Sequence, residues 1–127
     1  MSRAKGLRFC HEVRRILELR GEEVEGPGFS PRYFGGKVVL VHKDYFGRSD
    51  LLSWDGEQIW EHQVSTWEHK SNKVRQLQGE GYRGLLWLRH SGRRVWYTMM
   101  DATMVGVEIN LDGSPHVERE AGTTEKR

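Results

Sequence analysis

The stretch 50–65 most constrains the fold, because it holds two strand-like runs on either side of a turn signal. The runs 50–54 (DLLSW) and 58–65 (QIWEHQVS) flank the dipeptide Asp55-Gly56, which is typical of tight β-hairpins. Alternate side chains of a strand share a face. One face is then predicted to carry Ile59, Glu61, Gln63 and Ser65, and the other Trp60, His62 and Val64. The stretch therefore predicts an antiparallel hairpin in a β-sheet.

Two carboxylates of this hairpin can approach each other. If the hairpin forms, Asp50 at the start of the first run lies near Glu61 on the second. Converging carboxylate oxygens are the ligands that Mg²⁺ or Mn²⁺ prefers. We therefore expect a divalent-metal site at this edge of the sheet. His62 points away from Glu61, which favours a structural role for this histidine.

A further acidic residue, Glu12, falls in a predicted amphipathic helix over 7–19. The apolar side of this helix is formed by Phe9, Val13, Ile16 and Leu17, and Gly21 follows as a stop signal. Glu12 lies at or beside that side, where an ionised carboxylate is costly without a partner. Two interpretations stay open: a glutamate at the edge that reaches water, or a third carboxylate directed at the metal.

The other segments predict a sheet with helices packed on it. The Gly- and Pro-rich segment 26–36 predicts an irregular loop, and 37–41 predicts the first strand. A second helix is expected after Thr66, with Gly79 or Gly81 as its stop. Strands follow at 84–89 and 95–100, with a candidate at 104–109. The order α-β-β-β-α-β-β indicates an α/β or α+β protein in which helices pack on a sheet.

Length and composition predict one domain over 1–117 with a flexible tail at 118–127. No apolar run is long enough for a membrane span, the first residues lack the apolar core of a signal peptide, and the single Cys10 excludes an intramolecular disulfide. We expect a cytoplasmic protein with no membrane partner.

The 20 Lys and Arg against 18 Asp and Glu leave a net charge of +2, but basic residues cluster in 1–20 and after the hairpin. Basic segments around an acidic centre are typical of an enzyme that holds a metal and attracts phosphates.

The hairpin and the helix together resemble the PD-(D/E)XK nuclease superfamily. The resemblance rests on Asp50, ten intervening residues and Glu61-x-Gln63, preceded by a helix that carries Glu12. Within that superfamily the chain is most similar to archaeal-type Holliday junction resolvases, including phage versions, over about residues 6–88. It implies an α/β, restriction-endonuclease-like fold with a central mixed β-sheet flanked by helices. Two positions depart from the pattern: Gln63 stands where the family usually has lysine, and Ser49 stands where the nominal motif has proline.

Carried over to this chain, the resemblance assigns catalytic roles to Glu12, Asp50, Glu61 and Gln63. Asp50 and Glu61, with Glu12, would bind Mg²⁺ or Mn²⁺, and a metal-activated water would hydrolyse a phosphodiester bond. Lys70 or Lys73 is a candidate for the charge that Gln63 lacks. The candidate DNA-binding residues are Ser30, Arg32, Arg8, Lys70 and Lys73.

The function implied is a metal-dependent endonuclease that resolves four-way DNA junctions by paired cuts, which requires a two-fold symmetric homodimer. It would work in the cytoplasm of a bacterial, archaeal or phage-infected cell. Three alternatives stay open. The first is another nuclease of the superfamily, one that nicks, repairs or restricts DNA. The second is a degenerate member that only binds DNA. The third is an interaction module whose acidic residues are merely solvated. The five tryptophans are mainly candidates for the core or an interface, and one exposed ring is a candidate for stacking on a base.

Overall fold

A computed structural model describes residues 3–34, 36–45, 48–101, 103 and 105–117 of the chain. Residues 118–127, expected to be a flexible tail, lie outside the described part. The elements are α1 (Arg3–Leu19), β1 (Glu23–Glu25), β2 (Gly28–Phe34), β3 (Lys37–Lys43), β4 (Leu51–Trp54), β5 (Ile59–Thr66), a 3-10 turn (Trp67–His69), α2 (Lys70–Gly79), β6 (Leu85–His90), β7 (Trp96–Met100) and β8 (Gly106–Asn110). No helix in these ranges is long and apolar enough to cross a membrane.

Six of the strands form one mixed sheet in the order β1-β4-β5-β6-β7-β8. Neighbours are antiparallel except β5 and β6, which are parallel and are connected through α2. Parallel strands need such a crossover because the chain must return to the same end of the sheet before the second strand begins, and a short turn cannot span that distance. The predicted α/β class with a mixed sheet and two helices is therefore confirmed.

The hairpin β4–β5 forms as predicted, with Leu52 paired to Glu61 and Trp54 to Ile59. Its connection is four residues long, and the Asp55 carboxylate stabilises it by accepting the amides of Glu57 at 2.8 Å and Gln58 at 2.9 Å. Gly56 adopts φ +100°, a conformation that side chains with a Cβ rarely adopt. Asp55 thus stabilises the turn through its side-chain hydrogen bonds, and Gly56 through a backbone conformation that other residues rarely adopt.

The segment 26–36, predicted to be an irregular loop, is largely a strand. β2 pairs with β3 along its whole length, from Gly28 opposite Lys43 to Phe34 opposite Lys37, and the two form a separate two-stranded sheet. The prediction was wrong because the glycines and prolines of this segment, including Pro31, do not prevent it from pairing as a strand. Both strands of a two-stranded sheet are edge strands, where a proline that lacks an N–H is tolerated.

The first strand of the main sheet is also different from the prediction. The run 37–41 was expected to open the central sheet, but β1, with the sequence EVE, occupies that place beside β4. Two glutamates in three residues give no strand signal. Pairing with β4 supplies the backbone hydrogen bonds that keep this short segment extended.

The core has two layers, one on each face of the sheet. α1 packs Phe9, Val13 and Ile16 against Leu51 and Trp87. α2 packs on the other face, where the cluster is Leu77, Tyr82, Leu86, Leu88 and Met100. Because Leu86 and Leu88 alternate with Trp87 along β6, the two clusters lie on opposite faces. A functional group on β5 therefore faces either α1 or the side of α2.

His62 belongs to the α1 face, as the strand alternation predicts. Its side chain is fully buried, and the Trp87 indole N–H donates to Nδ1 at 2.9 Å while Nε2 lies 2.8 Å from Ser53 Oγ. An indole nitrogen can only donate, so Nδ1 is the acceptor and the neutral ring carries its proton on Nε2. Burial, with a smaller effect from the charge of Arg20, lowers the pKa of His62 to about 4.

Candidate functional site

The predicted acid pair lies where β4 begins beside β5. The Asp50 amide donates to the His62 carbonyl at 2.8 Å, and the Asp50 carboxylate accepts the Val64 amide at 2.8 Å. Asp50 therefore contacts β5 at His62 and Val64, one residue before the regular pairing of β4 with β5 begins at Leu51. The charges of Asp50 and Glu61 both act on Tyr82. The structure thus places the two carboxylates in the same part of the hairpin, with Gln63 between the two residues that Asp50 contacts.

Glu61 is held by a chain of hydrogen bonds from buried hydroxyls. Ser49 Oγ donates to Glu61 Oε1 at 2.6 Å, and the Tyr82 hydroxyl lies 3.1 Å from Ser49 Oγ. Because the Ser49 hydrogen is used, Tyr82 is the donor to Ser49. Burial raises the pKa of Tyr82, and the nearby charges of Glu61 and Asp50 raise it less strongly, while the bond to Ser49 opposes the shift. Tyr82 therefore stays protonated and supports the carboxylate.

Gly84 makes room for this arrangement. A Cβ on Gly84 would lie 2.5 Å from both the Glu61 carbonyl oxygen and the Tyr82 hydroxyl. No side chain fits at such a distance, so any larger residue would displace β5 or Tyr82. Gly84 directly precedes β6, so the close fit at this position links the end of the crossover to the position of Glu61.

Arg48 covers the Glu61 carboxylate. Its Nε and Nη2 each donate to one carboxylate oxygen at 3.0 Å, and its guanidinium lies 5.9 Å from the centre of the Tyr82 ring. The hydrogen bonds from Arg48 lower the pKa of Glu61, burial opposes the shift, and Ser49 adds to the lowering. Glu61 is therefore ionised at neutral pH, with its charge balanced by Arg48.

Gln63 shares the face of Glu61, two residues further along β5. Its Nε2 donates to the backbone carbonyl of Arg48. The amide of Gln63 therefore tethers the segment that carries Arg48 and Ser49. Lysine at this position would place a charge where this chain has a neutral hydrogen-bonding group.

The structure places Glu12 away from the acid pair. Its carboxylate accepts Arg89 Nε at 2.8 Å and Nη2 at 3.1 Å, and Oε1 also accepts the Tyr97 hydroxyl at 2.6 Å. Tyr97 belongs to the core layer under α1, on the face of the sheet opposite Glu61. The carboxylate expected as a third metal ligand is instead the partner of Arg89. This pairing explains how an acidic residue is accommodated beside the apolar side of α1.

No three His, Cys, Asp or Glu side chains of the described residues converge as metal ligands. The oxygen donors at the hairpin are the carboxylates of Asp50 and Glu61 and the side-chain carbonyl of Gln63. This set is hard and oxygen-only. It matches Mg²⁺ or Mn²⁺, which proteins often bind through one or two carboxylates together with substrate phosphates.

The candidate DNA-binding residues are spread over the molecule. Ser30 and Arg32 lie in β2, opposite Val41 and Val39, and their side chains are outside the described part. Arg8 lies on α1, while Lys70 and Lys73 lie on α2. The Lys70 ammonium is 4.6 Å from the Trp67 ring centre, beyond the end of β5 opposite to Glu61. Arg48, not Lys70, is therefore the cation that contacts Glu61.

Sequence reasoning missed Arg48, Ser49 and Tyr82 as parts of the site. Arg48 and Ser49 directly precede Asp50, so their position next to the predicted acid was the available signal. Tyr82 is more than twenty positions from Glu61 and gave no local signal.

Comparisons with protein-family models, with curated proteins and with solved structures find no match to this chain.

Proposed function

We propose that this protein is a divalent-metal-dependent endonuclease that cuts branched DNA, with four-way junctions as the substrate. The observation that supports the proposal is that Asp50 contacts β5 at His62 and Val64, next to Glu61 and Gln63, in a mixed sheet whose parallel strands are connected through α2. Two paired cuts across a junction require two such sites, so we propose a two-fold symmetric homodimer. The restriction-endonuclease-like fold is part of the same proposal.

Asp50 and Glu61 would hold the ion, with the Gln63 carbonyl oxygen as a further donor. When bound, Mg²⁺ or Mn²⁺ lowers the pKa of a coordinated water and balances charge on the phosphate. Ser49 and Tyr82 keep the Glu61 carboxylate oriented through their hydroxyls. Glu12 has no role in this scheme beyond joining α1 to the sheet through Arg89.

Arg48 takes the place of the lysine that the resemblance leads one to expect. Its guanidinium already lies 3.0 Å from Glu61 and is exposed enough to turn towards solvent. An arginine can bind a carboxylate or a phosphate through the same pair of N–H groups. We propose that Arg48 releases Glu61 to the metal and then binds the phosphate being cut.

Replacing Arg48 with glutamine should tighten Mn²⁺ binding and weaken cleavage. Without the guanidinium the ion no longer competes for Glu61, so we expect about two- to five-fold tighter binding, the range that exposed ion pairs contribute. Cleavage should fall by about 10²-fold, as when one donor to a reacting oxyanion is removed. Calorimetric Mn²⁺ titration and single-turnover cleavage measure the two effects.

Arg75→Gln is the matched control, since Arg75 is exposed on α2 and loses the same charge. It should leave Mn²⁺ affinity unchanged. Unchanged Mn²⁺ affinity in Arg48→Gln would show that Arg48 and the metal do not compete for Glu61.

The test of the function is incubation of the protein with a labelled four-way junction and with a linear duplex of the same sequence. We expect symmetric nicks in the junction with Mg²⁺ or Mn²⁺, none with a chelator, and little cutting of the duplex. Absence of cleavage with either metal would exclude the nuclease proposal.

A DNA-binding protein without catalysis is the second candidate. Two observations favour it: Arg48 occupies both carboxylate oxygens of Glu61, and Gln63 carries no charge. In that case the protein would bind the junction more tightly than the duplex with and without metal, and would cut neither. The same incubation therefore separates the two functions.

A further inference from the structure

Four aromatic rings form a continuous column beyond the end of β5 opposite to the acid pair. Trp67 packs on His90 with 4.4 Å between ring centres, His90 stacks on Trp96 at 3.5 Å, and Trp96 stacks on His116 at 4.1 Å. In the last two pairs the rings are nearly parallel, with 10° between ring planes. Successive stacked rings at these distances resemble the arrangement of bases in a nucleic-acid strand.

The column is fixed by hydrogen bonds at its histidines. His90 Nε2 lies 2.8 Å from Thr98 Oγ1, and His116 Nδ1 lies 2.7 Å from Asn110 Oδ1. Thr66 Oγ1, 2.7 Å from His69 Nδ1, closes the 3-10 turn that carries Trp67. A ring held in place from several elements loses little conformational entropy when a ligand stacks on it.

Trp67 is the open end of the column. Its surface is 41% exposed, an unusual state for a tryptophan anchored on other rings. The Lys70 ammonium lies over this ring, 4.6 Å from its centre. A base that stacks on the ring would displace the ammonium, whose flexible side chain could then contact the phosphate of the same nucleotide.

Trp67 also lines a groove with a volume of about 420 Å³ between the start of α1 and the 3-10 turn. Lys5 and Arg8 line the groove from α1, and Glu68 is the acidic residue among its walls. Arg89 also lines the groove, with its charge balanced by Glu12. With Lys70 beside it, the groove has an excess of positive charge next to a stacking surface, which favours a nucleic-acid strand.

We infer that Trp67 and this groove bind an unpaired DNA base outside the site of cutting. The inference rests on the proposed function and specifies its substrate. The groove lies beyond the end of β5 and is lined by α1, on the face of the sheet opposite Glu61, so a base bound there is separate from the scissile phosphate. The preferred substrate is therefore DNA that carries unpaired nucleotides outside the site of cutting.

The test is DNA binding by Trp67→Ala, measured by fluorescence anisotropy in the presence of a chelator. The probes are a duplex with a short single-stranded gap and a fully paired duplex of the same sequence. We expect wild type to prefer the gapped probe. Trp67→Ala should weaken binding of that probe by about 5- to 100-fold, the range for loss of one stacked base, and change the paired probe less than two-fold. Trp67→Phe, which keeps a ring, should be intermediate.

Trp54→Ala is the matched control, because Trp54 is 42% exposed and lies at the opposite end of β5. It should bind both probes as wild type does. Any of three results would overturn the inference. Trp67→Ala loses the same affinity for both probes, Trp67→Ala loses no affinity for either probe, or wild type does not prefer the gapped probe. Binding in chelator is independent of cleavage, so a protein that never cuts DNA but shows this pattern refutes the nuclease and retains the stacking site.

Discussion

Replacing Asp50 with asparagine, or Glu61 with glutamine, is expected to reduce metal-dependent junction cleavage by about 10²- to 10⁴-fold. Each change removes one of the two carboxylates proposed to hold the ion, which costs several kcal/mol of charge stabilisation in the transition state. Junction binding should persist or become tighter, since one negative charge near the phosphates is lost. Single-turnover cleavage and anisotropy on the same junction measure both quantities.

Glu57→Gln supplies the control for these variants. Glu57 lies in the exposed connection between β4 and β5, and its replacement removes one charge from the same hairpin without touching the acid pair. Cleavage by this variant should equal that of wild type. If Asp50→Asn and Glu61→Gln also cut at the wild-type rate, the metal site is not at the hairpin.

Gln63→Lys tests the alignment with the superfamily motif. A lysine here should retain or raise cleavage if the position is the third member of that motif. A folded but inactive Gln63→Lys protein would show that the amide bond to the Arg48 carbonyl matters more than a charge at this position.

Lowering the pH from 6.5 to 4 is expected to reduce the free energy of unfolding by about 3 kcal/mol through His62 alone. The pKa of His62 is about 4 in the fold and about 6.5 in the unfolded chain, so between these values only the unfolded state gains the proton. The His62 contribution is complete above pH 6.5 and is lost as the pH falls towards 4. Protonation would place an Nδ1 hydrogen against the Trp87 N–H.

Urea unfolding of wild type and His62→Gln across this pH range isolates the effect. Glutamine can accept from Trp87 and donate to Ser53 but does not titrate. The difference in unfolding free energy between the two proteins should therefore change by about 3 kcal/mol. Ser53→Ala keeps the imidazole and should retain the pH dependence. Parallel pH profiles for wild type and His62→Gln would contradict the assigned role of His62.

Local patterns in the sequence predicted the parts of the fold that depend on neighbouring residues. The alternation in β5, the Asp-Gly turn and the apolar side of α1 each identified an element and the face it buries. These patterns failed where pairing with another strand determines the conformation of a segment against the preference of its own residues. β1 is extended because β4 satisfies its backbone, and β2 forms despite Pro31 because β3 lies along it.

The candidate site was predictable to the same extent. Asp50, Glu61 and Gln63 are close in sequence, so a single hairpin places them together. Glu12 could be assigned to the edge of a helix but not to a partner, because Arg89 and Tyr97 approach it from strands more than seventy positions away. The contact of Arg48 with Glu61 depends on the bend before β4, which no periodicity predicts.

The amino-acid sequence by itself determined the class of fold, the hairpin and its acid pair, because strand alternation, turn chemistry and helical periodicity act within a few residues. Only the tertiary structure decided that α1 packs on the face opposite Glu61, that Tyr82 and Gly84 shape the site, and that four rings from separate elements stack beyond β5. These contacts join residues that are distant in the chain. Their formation depends on the packing of all layers at once, and no local pattern records it.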